Sequence, residues 1–161
     1  MTLNGSTVYG VTGGRTKVGN ATENSITIEK GDVMFYYGSV TGGVTDDGDV
    51  LDNTVTIKGG NLVNYAGVDI CGGFVYDAGH NATGNKVIIS NGTIGSDAGS
   101  QYENGFGVVA GYASCGTATD NTVTISDGKF ASQSEFEFSG GKSEAAAYVN
   151  GDYTDTKTAK A

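Results

Sequence analysis

Asp46, Asp47 and Asp49, with Asp52 close behind, form the densest run of carboxylates in the chain. Hard cations such as calcium take about six to eight oxygen ligands, so this run is a weak calcium candidate. Its spacing matches neither the EF-hand loop nor the glycine-aspartate nonapeptide of calcium-binding β-rolls, and a solvated turn is the expected role. His80 is the single histidine and lies in Ala78-Gly79-His80-Asn81. Imidazole is a natural general base near neutral pH, but no serine or cysteine stands at a recognised spacing from it. A surface-loop position is expected. One histidine with Cys71 and Cys115, which form no Cys-x-x-Cys, leaves too few ligands for zinc. The expectation is therefore no metal, no cofactor and no catalytic residue.

The scaffold that must position these groups is a repeat. Asn24-Ser25-Ile26-Thr27-Ile28 returns as Asn53-Thr54-Val55-Thr56-Ile57, as Asn85-Lys86-Val87-Ile88-Ile89 and as Asn121-Thr122-Val123-Thr124-Ile125. The four Asn residues are 29, 32 and 36 residues apart. Five residues beyond each closing Ile comes Val33, Leu62, Ile94 or Phe130, preceded by Gly31, Gly60, Gly92 or Gly128. A third element, ahead of each anchor, contains Tyr9-Gly10, Tyr37-Gly38, Ile70-Cys71 or Phe106-Gly107. Alternation in a strand sends the apolar positions one way and the intervening residues the other. Stacked repeats would then build one inward column from Ile26, Val55, Val87 and Val123, and a second from Ile28, Ile57, Ile89 and Ile125. By the same parity Asn24, Asn53, Asn85 and Asn121 face inward, either bonding from repeat to repeat or each capping its own turn.

Composition points the same way. Among 161 residues there are 28 Gly, no Pro and no Trp, and Leu occurs only at Leu3, Leu51 and Leu62. Glycine costs about 1 kcal/mol per helical position relative to alanine, whereas Val, Ile, Thr and Tyr favour strands. The predicted fold is all-β: a right-handed parallel β-helix (β-solenoid) of about four rungs of roughly 30–36 residues, with three short strands per rung. Residues 1–138 are expected to form one solenoid domain, and 139–161 a C-terminal cap or flexible tail. The net charge of −9 and the single arginine, Arg15, argue against nucleic acid as a partner. No apolar run approaches the roughly 20 residues that cross a bilayer, and the start of the chain lacks the features of a secretory signal.

The combination of Asn-Thr-Val-Thr-Ile, Gly-x-Val/Ile and aromatic-Gly segments resembles the Gly/Asn/Thr-rich repeats in passenger regions of bacterial autotransporters and related surface adhesins. The resemblance covers roughly residues 6–130. It implies a β-helix on the bacterial cell surface, with export signals outside the segment and neighbouring solenoid repeats of a longer parent chain as partners. It brings no catalytic residues. The expected function is a non-enzymatic extracellular adhesin segment that presents variable loops at 45–52, 76–84 and 95–105 to a host-surface glycan or protein. A β-helical carbohydrate-active enzyme or carbohydrate-binding solenoid is the alternative; an enzyme would need a charged groove across several rungs.

Tyr9, Tyr36, Tyr37, Phe74, Tyr76, Phe106 and Tyr112 recur near the third element. Facing outward they would form a stacking platform for sugars or peptide; facing inward they would fill a corner of the core, which is the expectation because aromatics dominate buried area. The candidate ligand-binding residues are Tyr76, His80, Tyr102 and Tyr112. Cys71 aligns with Gly107 of the next repeat, away from Cys115, so both cysteines are expected as thiols.

Overall fold

The computed structural model describes residues 1–35, 39–64, 69–95, 106–130 and 136–143. Tyr36, Tyr37, Tyr102, most of the 95–105 loop and the tail from 144 onward lie outside them. The described residues form strands and no helix. A lone strand β1 (Thr2–Val8) precedes the first repeat, β2 (Val11–Val18), β3 (Ala21–Thr22) and β4 (Ser25–Phe35). The second repeat is β5 (Val40–Asp47), β6 (Val50–Leu51), β7 (Thr54–Ile57) and β8 (Asn61–Asn64). The third is β9 (Asp69–Ala78), β10 (Ala82–Thr83), β11 (Lys86–Ile89) and β12 (Thr93–Gly95). The fourth is β13 (Phe106–Cys115), β14 (Ala118–Thr119), β15 (Thr122–Ile125) and β16 (Lys129–Phe130), followed by β17 (Phe136–Ser143). β17 spans residue 138.

Every pairing between these strands is parallel, and it joins equivalent strands of successive repeats. The first sheet has two arms, β4-β7-β11-β15 and β4-β8-β12-β16, with β1 on the other edge of β4. Both arms leave β4 toward the same repeat, so the sheet folds about Gly31, whose φ of 118° only glycine adopts readily. Gly60, Gly92 and Gly128 repeat that positive φ between the arms. The second sheet is β3-β6-β10-β14 and the third β2-β5-β9-β13-β17.

The anchor columns form in the expected register. Ile26 pairs with Val55, Val55 with Val87 and Val87 with Val123; Ile28, Ile57, Ile89 and Ile125 pair likewise. Ile26, Ile28, Val55, Ile57, Val87 and Ile89 have no exposed surface, and only Ile125, last in its column, stands open. Burying each such side chain contributes about 1.5–3 kcal/mol. β1 extends the columns the other way, with Leu3 beside Ile28 and Val8 beside Val33.

Three features differ from expectation. The second, third and fourth repeats carry four strand segments each, and the first carries three because β4 runs through both arms; the lead-ins Val50-Leu51, Ala82-Thr83 and their equivalents are strands in their own right. Two residues are too few to display a period. The corner after each of them takes a left-handed backbone at Glu23, Asp52, Gly84 and Asp120. Second, the third element begins later than the aromatic-Gly pairs suggest: Val11 pairs with Val40, Val40 with Ile70 and Ile70 with Val108. Cys71 consequently sits beside Val109, not Gly107, while Cys115 pairs with Ala78. Neither is in a disulfide; Cys71 is buried, its Sγ donating to the Gly73 carbonyl at 3.1 Å, and Cys115 is exposed.

The third difference is in the glycine pairs. Ile70 and Val75 of β9 are both fully buried, although an odd spacing puts residues on opposite faces of a regular strand. Ile70 belongs to the large core against the first sheet, Val75 to a small one with Ala21, Val50, Ala82 and Ala113. The inward parity therefore switches across Gly72-Gly73, and equivalently across Gly13-Gly14 and Gly42-Gly43. The same glycines leave room for the anchor Asn: a Cβ at Gly14, Gly43, Gly73 or Gly111 would overlap the amide of Asn24, Asn53, Asn85 or Asn121.

Candidate functional site

The parity switch decides which side chains reach solvent on the third sheet. Beyond the glycine pair, Arg15, Val44, Phe74, Tyr112 and Lys142 fall in one column on the outer face, within which Val44 is itself buried. Phe74 and Tyr112 stack with centroids 4.5 Å apart and planes 3° from parallel. Tyr76 meets Phe74 at 4.6 Å but is turned 61° from it, and 51% of it is exposed. Tyr9 is more exposed still. The expectation that the aromatics fill a core corner is thus overturned for Tyr9 and Tyr76, while Phe74 and Tyr112 are half-buried on the outer face. Counting by twos from Ile70 sends Phe74 inward; the switch at Gly73 sends it out.

Beside Tyr76 lies a shallow cleft of about 630 Å³, lined by Arg15, Lys17, Val18, Asp46, Asp47, Tyr76 and Asp77. These residues come from β2, β5 and β9, three successive strands of one sheet. Arg15 Nη2 lies 3.4 Å from Asp46 Oδ1, and its guanidinium stands 5.9 Å from the Tyr76 ring centroid. His80 borders the cleft through Asp47: its Nε2 is 2.8 Å from Asp47 Oδ1, and its Nδ1 is 3.8 Å from Asp49 Oδ1. The lone histidine lies in the loop between β9 and β10, as expected, and is tied there to the preceding repeat.

The carboxylates do not converge. Asp46 turns to Arg15, Asp47 to His80, and Asp49 accepts the Asn81 N–H at 2.7 Å. Among the described residues no group of three His, Cys, Asp or Glu is placed to hold a metal ion. The solvated turn expected at 46–49 is instead a partnered corner.

Two polar ladders brace this face. In the inner one, Asn24 Nδ2 donates to Asn53 Oδ1, Asn53 Nδ2 to Asn85 Oδ1 and Asn85 Nδ2 to Asn121 Oδ1, at 2.9–3.0 Å. The same oxygens accept the backbone N–H of Asn24, Asn53 and Asn85. The other amide hydrogens of Asn53, Asn85 and Asn121 go to the carbonyls of Ala21, Val50 and Ala82. Of the two readings open for these residues, bonding from repeat to repeat is the one observed. The outer ladder escaped the sequence reading. Asn20 Oδ1 accepts the Asp49 N–H, Asp49 Oδ1 that of Asn81, and Asn81 Oδ1 that of Thr117. Its only sequence signal is a polar residue four positions before each anchor Asn.

Tyr76, Asp46, Asp47 and, through Asp47, His80 thus meet at one cleft, and Tyr112 joins it by way of Phe74. Arg15, Lys17 and Val18 are the members that sequence reasoning missed, because they belong to a repeat two strands away from Tyr76. No family model, no curated protein and no solved structure matches this chain. Among the described residues no helix is long and apolar enough to cross a membrane.

Proposed function

We propose that the chain is a stretch of right-handed parallel β-helix, a β-solenoid of four rungs with a partial rung at either end. It serves as a non-enzymatic passenger segment of a bacterial surface protein, presenting its outer face to a host-surface glycan or protein. One observation carries this reading: inward positions recur in register through the sheets, while the outer column of the third sheet changes from repeat to repeat, from Arg15 to Val44, Phe74 and Tyr112. Uniform columns suit a rigid scaffold, and recognition usually resides in what varies on such a scaffold. Export signals and any membrane anchor belong to neighbouring parts of a longer parent chain in this reading.

Display tests it. Placed between a signal peptide and an outer-membrane anchor, the chain should reach the cell surface, be shaved by external protease, and improve attachment to a glycan- or matrix-coated surface through multivalency. Failure to improve attachment to any surface removes the adhesive role. The outward cleft with Asp46, Asp47 and Asp77 favours one second reading, a β-helical carbohydrate-active enzyme. Polysaccharide turnover by the pure chain, abolished by Asp46→Asn or Asp77→Asn, would replace the first reading with the second.

A further inference from the structure

We propose that the cleft on the third sheet binds a neutral saccharide, with the Tyr76 ring as platform and the Arg15–Asp46 pair as its hydrogen-bonding clamp. This names the ligand class of the face that the scaffold reading leaves open, and it rests on that reading for the rigid backing of the cleft. Phe74 and Tyr112 stack along the strand-to-strand direction and so stand on edge. Tyr76 is turned away from them and half exposed, and the part of its ring that the Arg15 guanidinium, 5.9 Å over the centroid, leaves open is the surface on which the C–H groups of a pyranose pack.

Next to that ring, Arg15 supplies donors and Asp46 acceptors within 3.4 Å of each other. A sugar hydroxyl both donates and accepts, so two adjacent hydroxyls can satisfy the pair together. The exposed Val18 adds apolar surface at the far side of the cleft. The volume of about 630 Å³ falls within the usual range of small-ligand sites. The cleft crosses three strands spaced about 4.8 Å apart, a length that two linked pyranose rings cover.

Charge and topology select among ligands. Asp46, Asp47 and Asp77 disfavour an anionic sugar, and Arg15 and Lys17 a cationic one. A peptide that adds as a strand needs an open edge. In this sheet β2 ends the row, but β5 and β9 are paired on both sides, so across most of the cleft what is presented is a face of side chains.

Affinity electrophoresis of the full chain through gels cast with dextran, mannan, xylan or mixed-linkage β-glucan tests the proposal, with polygalacturonate as the anionic comparison. At least one neutral gel should retard the protein. Tyr76→Ala should weaken that retardation roughly tenfold and Arg15→Ala several-fold, while Tyr9→Ala, equally aromatic but outside the cleft, should leave it unchanged. Both cleft residues are exposed, so the variants should keep the wild-type melting temperature. Lost binding with an unchanged melt separates this proposal from failure of the scaffold itself. Retardation by polygalacturonate alone, by no neutral gel, or equally for Tyr76→Ala and wild type overturns it.

Discussion

The two polar ladders lie four residues apart in every repeat, Asn20 with Asn24, Asp49 with Asn53, Asn81 with Asn85 and Thr117 with Asn121, yet they obey different rules. The inner ladder is all asparagine, and Asn53 and Asn85 are fully buried. Asn53 uses its whole amide: the oxygen accepts two hydrogen bonds from Asn24, and the nitrogen donates to Asn85 and Ala21. Aspartate lacks the donors and glutamine does not fit against Gly43. In the outer ladder each linking side chain needs one oxygen to accept one N–H from the next repeat. Asparagine and aspartate serve equally. Burial fixes the residue type; exposure releases it to other work, as when Asp49 also faces His80.

The sharpest test of this inside-outside contrast is Val55→Asp against Thr56→Asp. The first puts an unpaired charge in the large core and should unfold the chain or cost more than about 5 kcal/mol. The second faces outward and should change stability by less than about 1 kcal/mol. Equal urea midpoints would refute the register. Next, Asn53→Asp should cost about 3–5 kcal/mol, because a carboxylate replaces two donors in a dry site. Asn81→Asp in the outer ladder, where Asp49 already stands at the equivalent position, should cost less than about 1 kcal/mol. Similar losses from both would break the comparison.

Glycines separate crowding from backbone strain. A Cβ at Gly43 meets the Asn53 amide, whereas one at Gly19 meets no atom within 4 Å but sits at a φ of 92°. Gly43→Ala should cost about 2–3 kcal/mol by overpacking, and Gly19→Ala about 1 kcal/mol by strain alone. The smallest effect concerns the thiols. Cys115 should react with a thiol reagent in the native protein and Cys71 only on unfolding, with no change in stability from labelling Cys115.

The legible part of the fold was the part where residue type is forced. Asn-x-Val-x-Ile recurs because every position in it is buried or pairs with its own copy, so the sequence carried both the register and the Asn column. The outer ladder stayed hidden because an accepting oxygen can come from several residue types. The aromatic face was misassigned for a different reason: the expectation rested on the large area aromatics bury, and ring size carries no sign of the parity switch at Gly72-Gly73 that turns Phe74 and Tyr76 outward. Half of the cleft was legible, Tyr76 with its neighbouring aspartates. Its cationic half was not, since nothing local to Arg15 or Lys17 announces that Tyr76 stacks two strands away.

The inner ladder also gives the molecule an electrical direction. Asn24, Asn53 and Asn85 each donate the backbone N–H and one amide hydrogen toward the following repeat, so successive amide dipoles add along the axis. The outer ladder donates in the opposite sense, but it lies in water, where its field is screened. In the drier interior the negative pole therefore lies at Asn24, as the carbonyl ends of a helix gather at its last turn. Of the charged side chains that precede Asn24, Arg15 and Lys17 complement that pole, while Glu23, next to it in the chain, opposes it.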